Sequence, residues 1–330
     1  MAPIAFVCPV CKMDLKQEEA AYVCAPCARR YPVLFGIADF RLRADRYLDL
    51  QAERAKAQQL HEFAENATFG ELLTYYYSIT DDVPAVLAQR FVAYANAAPE
   101  RGAAIIAKIG LVGQADNLLD AGCGTGGLLI AAASHFDNLI GVDIALRWLV
   151  ICRKRLAEQG VKATLVCADV ENLPFSEGCF SHIVAADLLE HVYDTDNAVS
   201  QIAAHMKSAA TLWLSGTNKY CLGPHPMARI WAAGYFPDSL RKRLVKLVRG
   251  IDTLRHIQLI SPRSVAACCR RHGLAVMRSD PLHATAAPLA SYPFIDRLLI
   301  ILYRAAYAVP ALRYVLFLIG PAFEMRCRKQ

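Results

Sequence analysis

The amino-acid sequence predicts an α/β fold built on a buried parallel sheet, with a small metal-binding module in front of it. Apolar segments that end in an acidic residue alternate with helical segments, and the first of them runs into the glycine-dense stretch 120–127. The chain has 330 residues, a hydrophobic fraction of 55% and a mean hydropathy of +0.26. This length can bury a full α/β domain with an additional module, and the apolar excess indicates surface that serves a partner, a lipophilic ligand or a membrane.

The net charge, the amino-terminal residues and the cysteines bear on where in the cell the protein is located. The formal net charge of +6 permits an anionic partner but does not require nucleic acid. Residues 1–7 are too short for the apolar region of a signal peptide. We therefore expect a cytoplasmic protein that is neither secreted nor transmembrane, with peripheral membrane contact as an option. In a reducing compartment the twelve cysteines are metal ligands or small core residues rather than disulfides.

Two cysteine pairs open the chain. Cys8 and Cys11 form a C-x2-C pair, Cys24 and Cys27 form a second, and twelve residues separate the pairs. This spacing places four thiolates on one tetrahedral zinc ion, and because no coordination position stays open the predicted zinc is structural. A module of about 43 residues cannot bury enough core alone, so metal binding would supply its folding free energy. The alternative is a redox C-x-x-C pair, which would sit in a βαβ pattern that the short flanks do not show.

Residues 44–116 predict a helical bridge between this module and the rest of the chain. The segment 44–65 is rich in good helix formers, and 83–95 and 101–109 read as further helices. Between them, residues 75–77 are three consecutive tyrosines, whose rings must point in different directions. This favours packing between the bridge and the main domain; the alternative is that Tyr76 or Tyr77 closes over a ligand, and Tyr77 is our candidate for cofactor contact.

The domain at 117–330 is organised around its first strand and the turn that follows. Apolar residues lead into Asp120 and then into Gly122, Gly124 and Gly127, ahead of an apolar helix. A tight turn of this kind lets a ligand approach the backbone closely. The spacing matches the dinucleotide fingerprint, and Asp143, at the end of the next strand, can accept the hydroxyls of a ribose. Up to this point the sequence is compatible with a nicotinamide dinucleotide.

The third and fourth strands distinguish a nicotinamide dinucleotide from other ligands that contain adenosine. The third strand ends at Asp169, before Val170, where a carboxylate beside a backbone amide can hold the amine and ring nitrogen of an adenine. The fourth ends at Asp187, before Leu188. Four ordered motifs resemble those of class I S-adenosylmethionine-dependent methyltransferases: LDAGCGTG at 119–126, GVD at 141–143, ADVENLPF at 168–175 and ADLLEHV at 186–192.

This resemblance implies a Rossmann-like, seven-stranded doubly wound sheet with the cofactor across the carboxyl ends of the strands. It implies that a cysteine in the turn is not used chemically. S-adenosylmethionine has no pyrophosphate, so an acid beside the glycine turn can hold its ammonium group. The resemblance assigns the methionine part to Asp120, Gly122, Cys123, Gly124, Thr125 and Gly126, the ribose to Asp143 and Ile144, the adenine to Asp169 and Val170, and the sulfonium side to Asp187 and Leu188.

The amino-terminal module carries a resemblance of its own. With residues 31–40, the cysteine pairs complete a pattern that resembles the small zinc ribbons of the methyltransferase-activator family. Zinc ribbons also occur in front of a bacterial ribosomal-RNA guanine methyltransferase domain. We therefore predict three domains: a zinc ribbon at 1–43, a helical bridge or lid at 44–116 and a methyltransferase domain at 117–330.

Two histidines are candidate catalytic residues. Methyl transfer is an in-line displacement, so positioning supplies most of the catalysis, and a base is needed only if the acceptor must lose a proton. His191 follows the fourth strand and His225 lies on the loop after the fifth. Either could act as a base or contact the substrate. The alternative for His191 is that Glu190 and His191 open a helix and serve as hydrogen-bonding support.

Substrate-side insertions are predicted at 219–255 and 281–320. The first holds a basic run, 241–249, interleaved with apolar residues; it is a solvated helix face, or it contacts anionic lipid or RNA phosphates. The second is an apolar helical insertion before the last strand, which we expect at 323–328. Through 297–320 it could cap a pocket for a lipophilic substrate, form a homodimer interface or lie in a membrane surface.

These observations favour methyl transfer to O, N or C of a small, largely apolar metabolite such as a quinone, polyketide, isoprenoid or lipid-like molecule. An RNA methyltransferase that uses the ribbon to bind nucleic acid is the first alternative. The modest charge and the lack of a basic-aromatic patch in 1–43 disfavour it. A non-catalytic scaffold that binds a protein partner is the second alternative, and the presence of both Asp143 and Asp169 argues against it.

Overall fold

The computed structural model contains two compact units. The first comprises the chain up to Val184 and Asn197–Thr211, and the second comprises Ala185–Asp196 and Leu212–Arg328. Lys329 belongs to the first unit and Gln330 to the second. Parts of the predicted bridge and of both predicted insertions lie outside the described residues, and the predicted domain boundaries stay a prediction. The structure describes residues 4–80, 83, 85–111, 115–250, 253–283 and 294–330.

The first unit contains the cysteine module, the bridge helices and most of the parallel strands. The limits of this unit fall inside β8, α7 and β9, so each of these three elements also has residues in the second unit. Its elements are β1 Lys16–Glu18, β2 Ala21–Cys24, β3 Arg29–Leu34, β4 Ile37–Asp39, α1 Leu50–Ala64, α2 Phe69–Ser78, α3 Ala85–Asn96, α4 Ala98–Ile109, β5 Ala115–Ala121, α5 Gly127–Ala132, β6 Phe136–Asp143, α6 Leu146–Glu158, β7 Thr164–Cys167, β8 Phe180–Ala186, α7 Thr195–His205 and β9 Met206–Thr217.

The second unit contains the carboxyl-terminal elements. The expected last strand at 323–328 is present as β11, and the apolar segment before it forms two helices. No helix of the described chain combines the length and the apolar character that crossing a bilayer would need. The elements are α8 Asp238–Arg249, α9 Pro262–Arg271, β10 Leu274–Pro281, α10 Phe294–Ala308, α11 Pro310–Ile319 and β11 Ala322–Lys329.

The parallel core brings the acidic strand ends to one edge. Strand β5 pairs in parallel with β6 on one side and with β8 on the other, and β6 pairs in parallel with β7. In this register Asp120 lies opposite Gly141 and Asp143 lies opposite Cys167, two residues before Asp169. The carboxyl ends of parallel strands therefore place the three predicted cofactor acids along one edge of the sheet.

The predicted strand number is wrong, because the cysteine module extends the sheet. The order is β1-β2-β3-β4-β7-β6-β5-β8-β9-β11-β10, which is eleven strands rather than seven. Strands β5 to β11 account for the seven that were expected. The other four come from the module, whose β4 pairs in parallel with β7, and the N–H of Phe40 donates to the carbonyl oxygen of Cys167 at 2.8 Å. This pairing satisfies backbone groups that an exposed edge strand would leave open.

The bridge is helical, as predicted, but its first helix begins later than expected. The carboxylate of Asp49 accepts the N–H groups of Gln51 and Ala52 and starts α1 at Leu50. Helix α1 is fixed to α6 by a buried ion-pair cluster, in which the guanidinium of Arg147 contacts the carboxylates of Asp45, at 2.7 Å, and Glu53. Both acids belong to the bridge, so burying the cluster ties the bridge to the helix that follows Asp143.

Candidate cofactor and metal sites

The glycine turn after β5 has the backbone that the sequence predicts. Gly122, Gly124 and Gly126 have φ angles of +79°, +48° and +75°, which residues with a Cβ rarely adopt. A Cβ added at Gly124 would meet no atom of the described chain within 4 Å, so space is open above the turn. Gly127 has a different reason to be glycine, because a Cβ there would lie 2.4 Å from the Cβ of Ala98 in α4. The third glycine of the fingerprint therefore serves helix packing.

Two carboxylates flank this turn. Asp143 accepts the N–H of Gly124 at 3.0 Å and the N–H of Ala145 at 2.8 Å. Asp120 is buried at the end of β5, and burial together with the negative charge of Asp143 raises the pKa of Asp120 to about 8. Burial also raises the pKa of Asp143, although its two backbone hydrogen bonds oppose the change. A bound cation would favour the ionised form of both carboxyls whereas a bound phosphate would disfavour it, so this pair fits a cationic ligand.

The side chains of the turn point into the protein. A hydrogen bond with Cys152 and burial raise the pKa of Cys123, whose thiol is therefore neutral. The hydroxyl of Thr125 accepts a hydrogen bond from the guanidinium of Arg155 at 3.1 Å. The thiol of Cys123 is buried, and the expectation that this cysteine has no chemical role stays a prediction.

The third predicted acid is held by an arginine that sequence reasoning missed. One oxygen of Asp169 accepts the N–H of Glu171 at 2.9 Å, while the other contacts the guanidinium of Arg43 at 2.5 Å. Arg43 also contacts the carboxylate of Glu171 at 2.8 Å. Burial raises the pKa of Asp169, and both the hydrogen bond to the N–H of Glu171 and the charge of Arg43 counteract that increase. Arg43 comes from the predicted zinc ribbon.

The sheet topology explains why Arg43 is there. Because β4 and β7 are parallel, the chain leaving β4 and the chain leaving β7 run on from the same edge of the sheet. Arg41, two residues earlier, binds the carboxylate of Asp39 at 2.8 Å and donates to the carbonyl oxygen of Ile144 at 3.2 Å. Two arginines after a short strand were the available signal, but nothing in the sequence indicated that β4 would join the main sheet.

Tyr77 lies among other aromatic rings. Its ring centroid is 4.9 Å from that of Tyr76 and 5.9 Å from that of Phe91, and the ring of Tyr76 lies 4.5 Å from that of Trp148 in α6. Tyr76 is buried. These contacts are the packing between bridge and main domain that the tyrosine run favours. The lid interpretation, with Tyr77 against the cofactor, stays a prediction.

In the second unit, Asp187 has a strained backbone and a fixed carboxylate. Its φ is +51°, in the left-handed region that favours glycine. The hydroxyl of Ser215 donates to the carboxylate of Asp187 at 2.9 Å, and the N–H of Asp187 donates to the carbonyl oxygen of Ser215 at 3.2 Å. Leu188 follows, and its carbonyl oxygen accepts the N–H of His191 at 2.9 Å.

Glu190 and His191 lie in a turn, so the alternative in which they open a helix is wrong; α7 begins only at Thr195. Glu190 is buried and accepts hydrogen bonds from the N–H of Thr217 at 3.1 Å and from its hydroxyl at 3.3 Å. Burial and the charge of Asp187 raise the pKa of Glu190 to about 8. Glu190 is thus a support, as expected, and it was absent from our candidate site.

His225 is placed unfavourably for proton transfer. It is fully buried, and its Nδ1 accepts the N–H groups of Met227 and Ala228 at 3.3 and 3.4 Å. Burial and the positive charge of Arg241 lower the pKa of His225 to about 4, so the ring is neutral at physiological pH. The geometry gives His225 the role of capping a turn, and of our two candidate bases His191 is the one that is only partly buried.

The four cysteines of the amino-terminal module converge. The sulfurs of Cys8, Cys11, Cys24 and Cys27 all lie within 4.8 Å of one another, and those of Cys11 and Cys24 are 3.5 Å apart. Four ligands at about 2.3 Å from a tetrahedral zinc ion would be about 3.8 Å apart. Burial would raise the pKa of Cys8, but hydrogen bonds with the Tyr31 hydroxyl and backbone groups lower it to about 6. The donor set therefore fits zinc.

A second group of metal-ligating side chains lies in the second unit. Asp196 has its carboxylate 3.4 Å from the sulfur of Cys268 and 3.1 Å from Nε2 of His272. Arg271 also contacts this carboxylate at 2.5 Å. Hydrogen bonds from Arg271, Cys268 and His272 lower the pKa of Asp196 to about 2. This carboxylate is already committed to an ion pair, and Cys268 is a packing residue, as the sequence indicates.

The glycine turn lies in a segment that matches a known protein family. Residues 118–209 match the family model described as "Methyltransferase domain". The ubiquinone biosynthesis O-methyltransferase of Bordetella avium is 31% identical over 162 residues, which are 49% of this chain and 63% of that protein. The ajmaline N-methyltransferase of Rauvolfia serpentina is 27% identical over 99 residues, 29% of this chain and 34% of that protein. The chain thus matches less than two thirds of the length of these relatives.

Solved structures align over more of the chain at lower identity. The phosphoethanolamine N-methyltransferase 2 of Haemonchus contortus is 17% identical with a TM-score of 0.48, covering 70% of this chain and 52% of that chain. The YcgJ protein of Bacillus subtilis is 19% identical with a TM-score of 0.46, covering 70% and 99%. Because both likenesses are remote, the assignment rests on the sequence matches and on the acids at the strand ends. Residues 118–209 therefore resemble a methyltransferase domain.

Proposed function

We propose that this protein transfers a methyl group from S-adenosylmethionine to a small, largely apolar metabolite. The observation that carries the proposal is the pair of carboxylates, Asp120 and Asp143, around the open glycine turn. S-adenosylmethionine brings an ammonium group, and a cation beside Asp120 would offset the burial and the repulsion by Asp143 that raise the pKa of that carboxyl. A nicotinamide dinucleotide would bring a pyrophosphate to the same place and add to the repulsion. The pair therefore favours the methyl donor.

In this proposal the residues of the first unit hold the donor. Asp120 and the backbone of the glycine turn would hold its methionine part, and Asp143 would accept the ribose hydroxyls. Asp169, held by Arg43, would bind the adenine amine beside the N–H of Val170. Bound S-adenosylmethionine supplies an activated methyl group for in-line displacement, which needs positioning more than acid-base chemistry.

The candidate residues for the acceptor side belong to the second unit. Asp187, whose carboxylate is fixed by Ser215, and Leu188 keep the assignment to the sulfonium side that the sequence resemblance implies. If the acceptor is a hydroxyl or an amine, His191 would take its proton, because its side chain is only partly buried whereas His225 is fully buried. One relative is named for ubiquinone biosynthesis and another for ajmaline methylation. These names support a small-molecule acceptor.

We further propose that the four cysteines bind a structural zinc ion. Four thiolates leave no open position for a substrate, so the metal would hold the fold of the module. Through β4 and Arg43 the module would then support the cofactor site. Arg41 and Arg43 of the module are already paired with Asp39, Asp169 and Glu171, so their charges are poorly available to RNA phosphates. This counts against the RNA methyltransferase alternative.

Calorimetric titration with S-adenosylmethionine tests the cofactor assignment. We expect binding by the intact protein and a loss of about 100-fold in affinity for Asp143→Ala, because the hydrogen bonds that this carboxylate would accept from the ribose hydroxyls are removed. Asp137→Ala is the matched control, since Asp137 is exposed on the same strand, and its affinity should stay within about twofold. Absence of binding, or binding of NADH in its place, would reject the proposal.

The acceptor class is tested with a radiolabelled methyl donor and a cell extract. We expect the label in the organic-solvent fraction that contains small apolar molecules. Label in the RNA fraction would establish the first alternative. Donor binding without transfer to any fraction would support the scaffold.

A further inference from the structure

Helix α10 presents a continuous apolar stripe to solvent. Phe294, Ile295, Leu298, Ile301 and Leu302 recur at the spacing of one helix face, and all five are exposed, Phe294 to 79%. No residue of α10 or of α11 is buried in the structure. An amphipathic helix of a folded domain normally buries its apolar side against other residues. The apolar stripe of α10 is instead exposed to solvent.

Basic residues accompany exposed apolar residues on α8 of the same unit. Lys242, Arg243 and Lys246 are exposed, and so are Leu247, to 81%, and Val248. Residues 219–250 contain seven lysines and arginines against a single acid, Asp238. This segment alone has a formal charge as large as that of the whole chain. A helix with exposed leucine beside lysine and arginine is typical of protein segments that lie in the interface of a membrane.

The acidic residues of these helices do not offset the charge. Among the described residues of α8, α10 and α11 the acids are Asp238 and Asp296. Asp238 is paired with Arg241, and Asp296 contacts Arg229 at 2.6 Å. The second ion pair also ties the start of the α10 stripe to the segment that leads into α8. The charged and the apolar features therefore belong to adjoining parts of one unit.

We propose that α8 and the α10 stripe form a peripheral docking surface for an anionic lipid bilayer. Exposed apolar side chains would enter the interface, and the basic side chains would contact acidic headgroups, each strengthening partition by about fivefold. A second copy of the chain fits this surface less well. The basic face of α8 would need acidic partners on the second copy, and the described acids of these helices, Asp238 and Asp296, are already paired.

The docking surface extends the proposed function. If the acceptor is a lipophilic metabolite, as proposed above, binding at the bilayer would bring the enzyme to the place where such a substrate is dissolved. That consequence rests on the proposed function. Membrane binding itself rests only on α8 and α10, so either proposal can fail while the other stands.

Co-sedimentation of the full-length protein with vesicles is the test. We expect binding to phosphatidylcholine vesicles that contain phosphatidylglycerol, weak binding to phosphatidylcholine alone, and a decrease at high salt. Ile295→Gln/Leu302→Gln should reduce binding at least tenfold at any salt concentration. Lys242→Gln/Arg243→Gln/Lys246→Gln should reduce only the part that depends on acidic lipid and low salt.

Matched controls lie elsewhere on the surface. Met13→Gln/Met277→Gln removes two exposed apolar side chains, and Lys16→Gln/Arg90→Gln/Lys162→Gln removes three exposed charges. Both controls should bind like the unsubstituted protein. The proposal is overturned if anionic vesicles fail to bind the protein, or if test and control variants bind equally. A concentration-dependent dimer that Ile295→Gln/Leu302→Gln abolishes, without vesicle binding, would make the surface an interface between copies.

A fluorescence measurement covers the case in which a variant does not fold. Trp231 is 58% exposed and lies two residues after Arg229, which is paired with α10. Vesicles with brominated acyl chains should quench the fluorescence of the unsubstituted protein, and Trp231→Phe should remove most of the quenching. No quenching at saturating anionic vesicles would contradict insertion of this surface.

Discussion

The cysteine module and helices α10 and α11 are both additions to the same seven strands, but they are attached in opposite ways. The module adds strands that hydrogen-bond to β7, and it places Arg43 on the buried carboxylate of Asp169. Helices α10 and α11 bury no residue and leave an apolar stripe in solvent. The first addition is part of the core of its unit. The second is a surface whose apolar side is available to something else.

The physical difference lies in how polar backbone groups are satisfied. A strand can be stable at a sheet edge only when its hydrogen-bonding groups are paired, so β4 is committed to β7. A helix satisfies its own backbone and can remain on the surface with either face outward. We therefore expect changes in the module to alter folding and cofactor affinity together, and changes in α10 to leave both unaltered.

Zinc removal should have the largest effect. If the four cysteines bind zinc, the module gains about 10–16 kcal/mol from the metal, as zinc-finger peptides do. Chelation, or Cys24→Ser, should unfold β1 to β4, lower the melting temperature and weaken cofactor binding, because Arg43 would leave Asp169. Calorimetry and metal analysis by mass spectrometry provide the measurements.

The control for this experiment is Cys179→Ser, which changes a partly buried cysteine outside the cluster. It should keep one zinc ion per chain and normal affinity for the cofactor. If zinc-free protein bound S-adenosylmethionine as tightly as the zinc form, the module would be a separate domain and the comparison would fail.

Asp120 should make cofactor affinity depend on pH. With a pKa of about 8 the carboxyl is mostly protonated at pH 6, yet a bound ammonium group favours its ionised form. Affinity should therefore rise by up to tenfold per pH unit between pH 6 and pH 7.5, or up to about 30-fold in all. Titration calorimetry in buffers of different ionisation enthalpy should detect proton release on binding.

Asp120→Asn tests this prediction, because the amide does not titrate. The affinity of this variant for S-adenosylmethionine should be low and should not change across the same pH range.

The same carboxyl should affect folding stability. The pKa of Asp120 is raised on folding, so the stability linked to it is present at about pH 4 and is lost as pH rises through about 8. Without the cofactor, Asp120→Asn should consequently melt above the unsubstituted protein at pH 8. An unchanged pH profile in the variant would assign the dependence to another group.

The sequence could predict those features that are local in the chain. Each acid ends its own apolar strand, so the sequence alone predicts that Asp120, Asp143 and Asp169 lie at one edge of the sheet. Gly127 completes the fingerprint spacing but lies outside the predicted cofactor residues, and the fingerprint alone does not show that it is glycine because of a neighbouring helix. The position of Arg43 depends on the pairing of β4 with β7. These strands are some 125 residues apart in the chain, and no local sequence pattern predicts that they pair.

His225 illustrates a second limit. Its loop position after the fifth strand is typical of substrate residues, and nothing in the residues 223–226 indicates burial. The structure encloses the ring because its Nδ1 satisfies two backbone N–H groups of the same turn. Whether His225 acts as a base or caps a turn is therefore decided by the packing around that turn, which the local sequence does not show.

Arg43→Gln should have an intermediate effect that is specific to the cofactor. Losing the guanidinium leaves the carboxylate of Asp169 buried without its charged partner, which raises its pKa further and weakens its hold on the adenine. We expect about tenfold weaker binding of S-adenosylmethionine with a folded module and bound zinc. Arg29→Gln, an exposed arginine on β3, should change nothing measurable. Equal affinities for the two variants would show that the module contributes stability alone.

The smallest effect is expected on the other side of the comparison. Leu298→Ala in α10 removes the same atoms as Leu60→Ala in α1, but Leu298 is 47% exposed and Leu60 is fully buried. Leu60→Ala should cost about 2–5 kcal/mol of unfolding free energy, whereas Leu298→Ala should stay within about 0.5 kcal/mol. Denaturant unfolding at two protein concentrations measures both. If Leu298→Ala destabilised the protein and its effect grew with concentration, the stripe would already be covered by a second chain, and the contrast between the two additions would disappear.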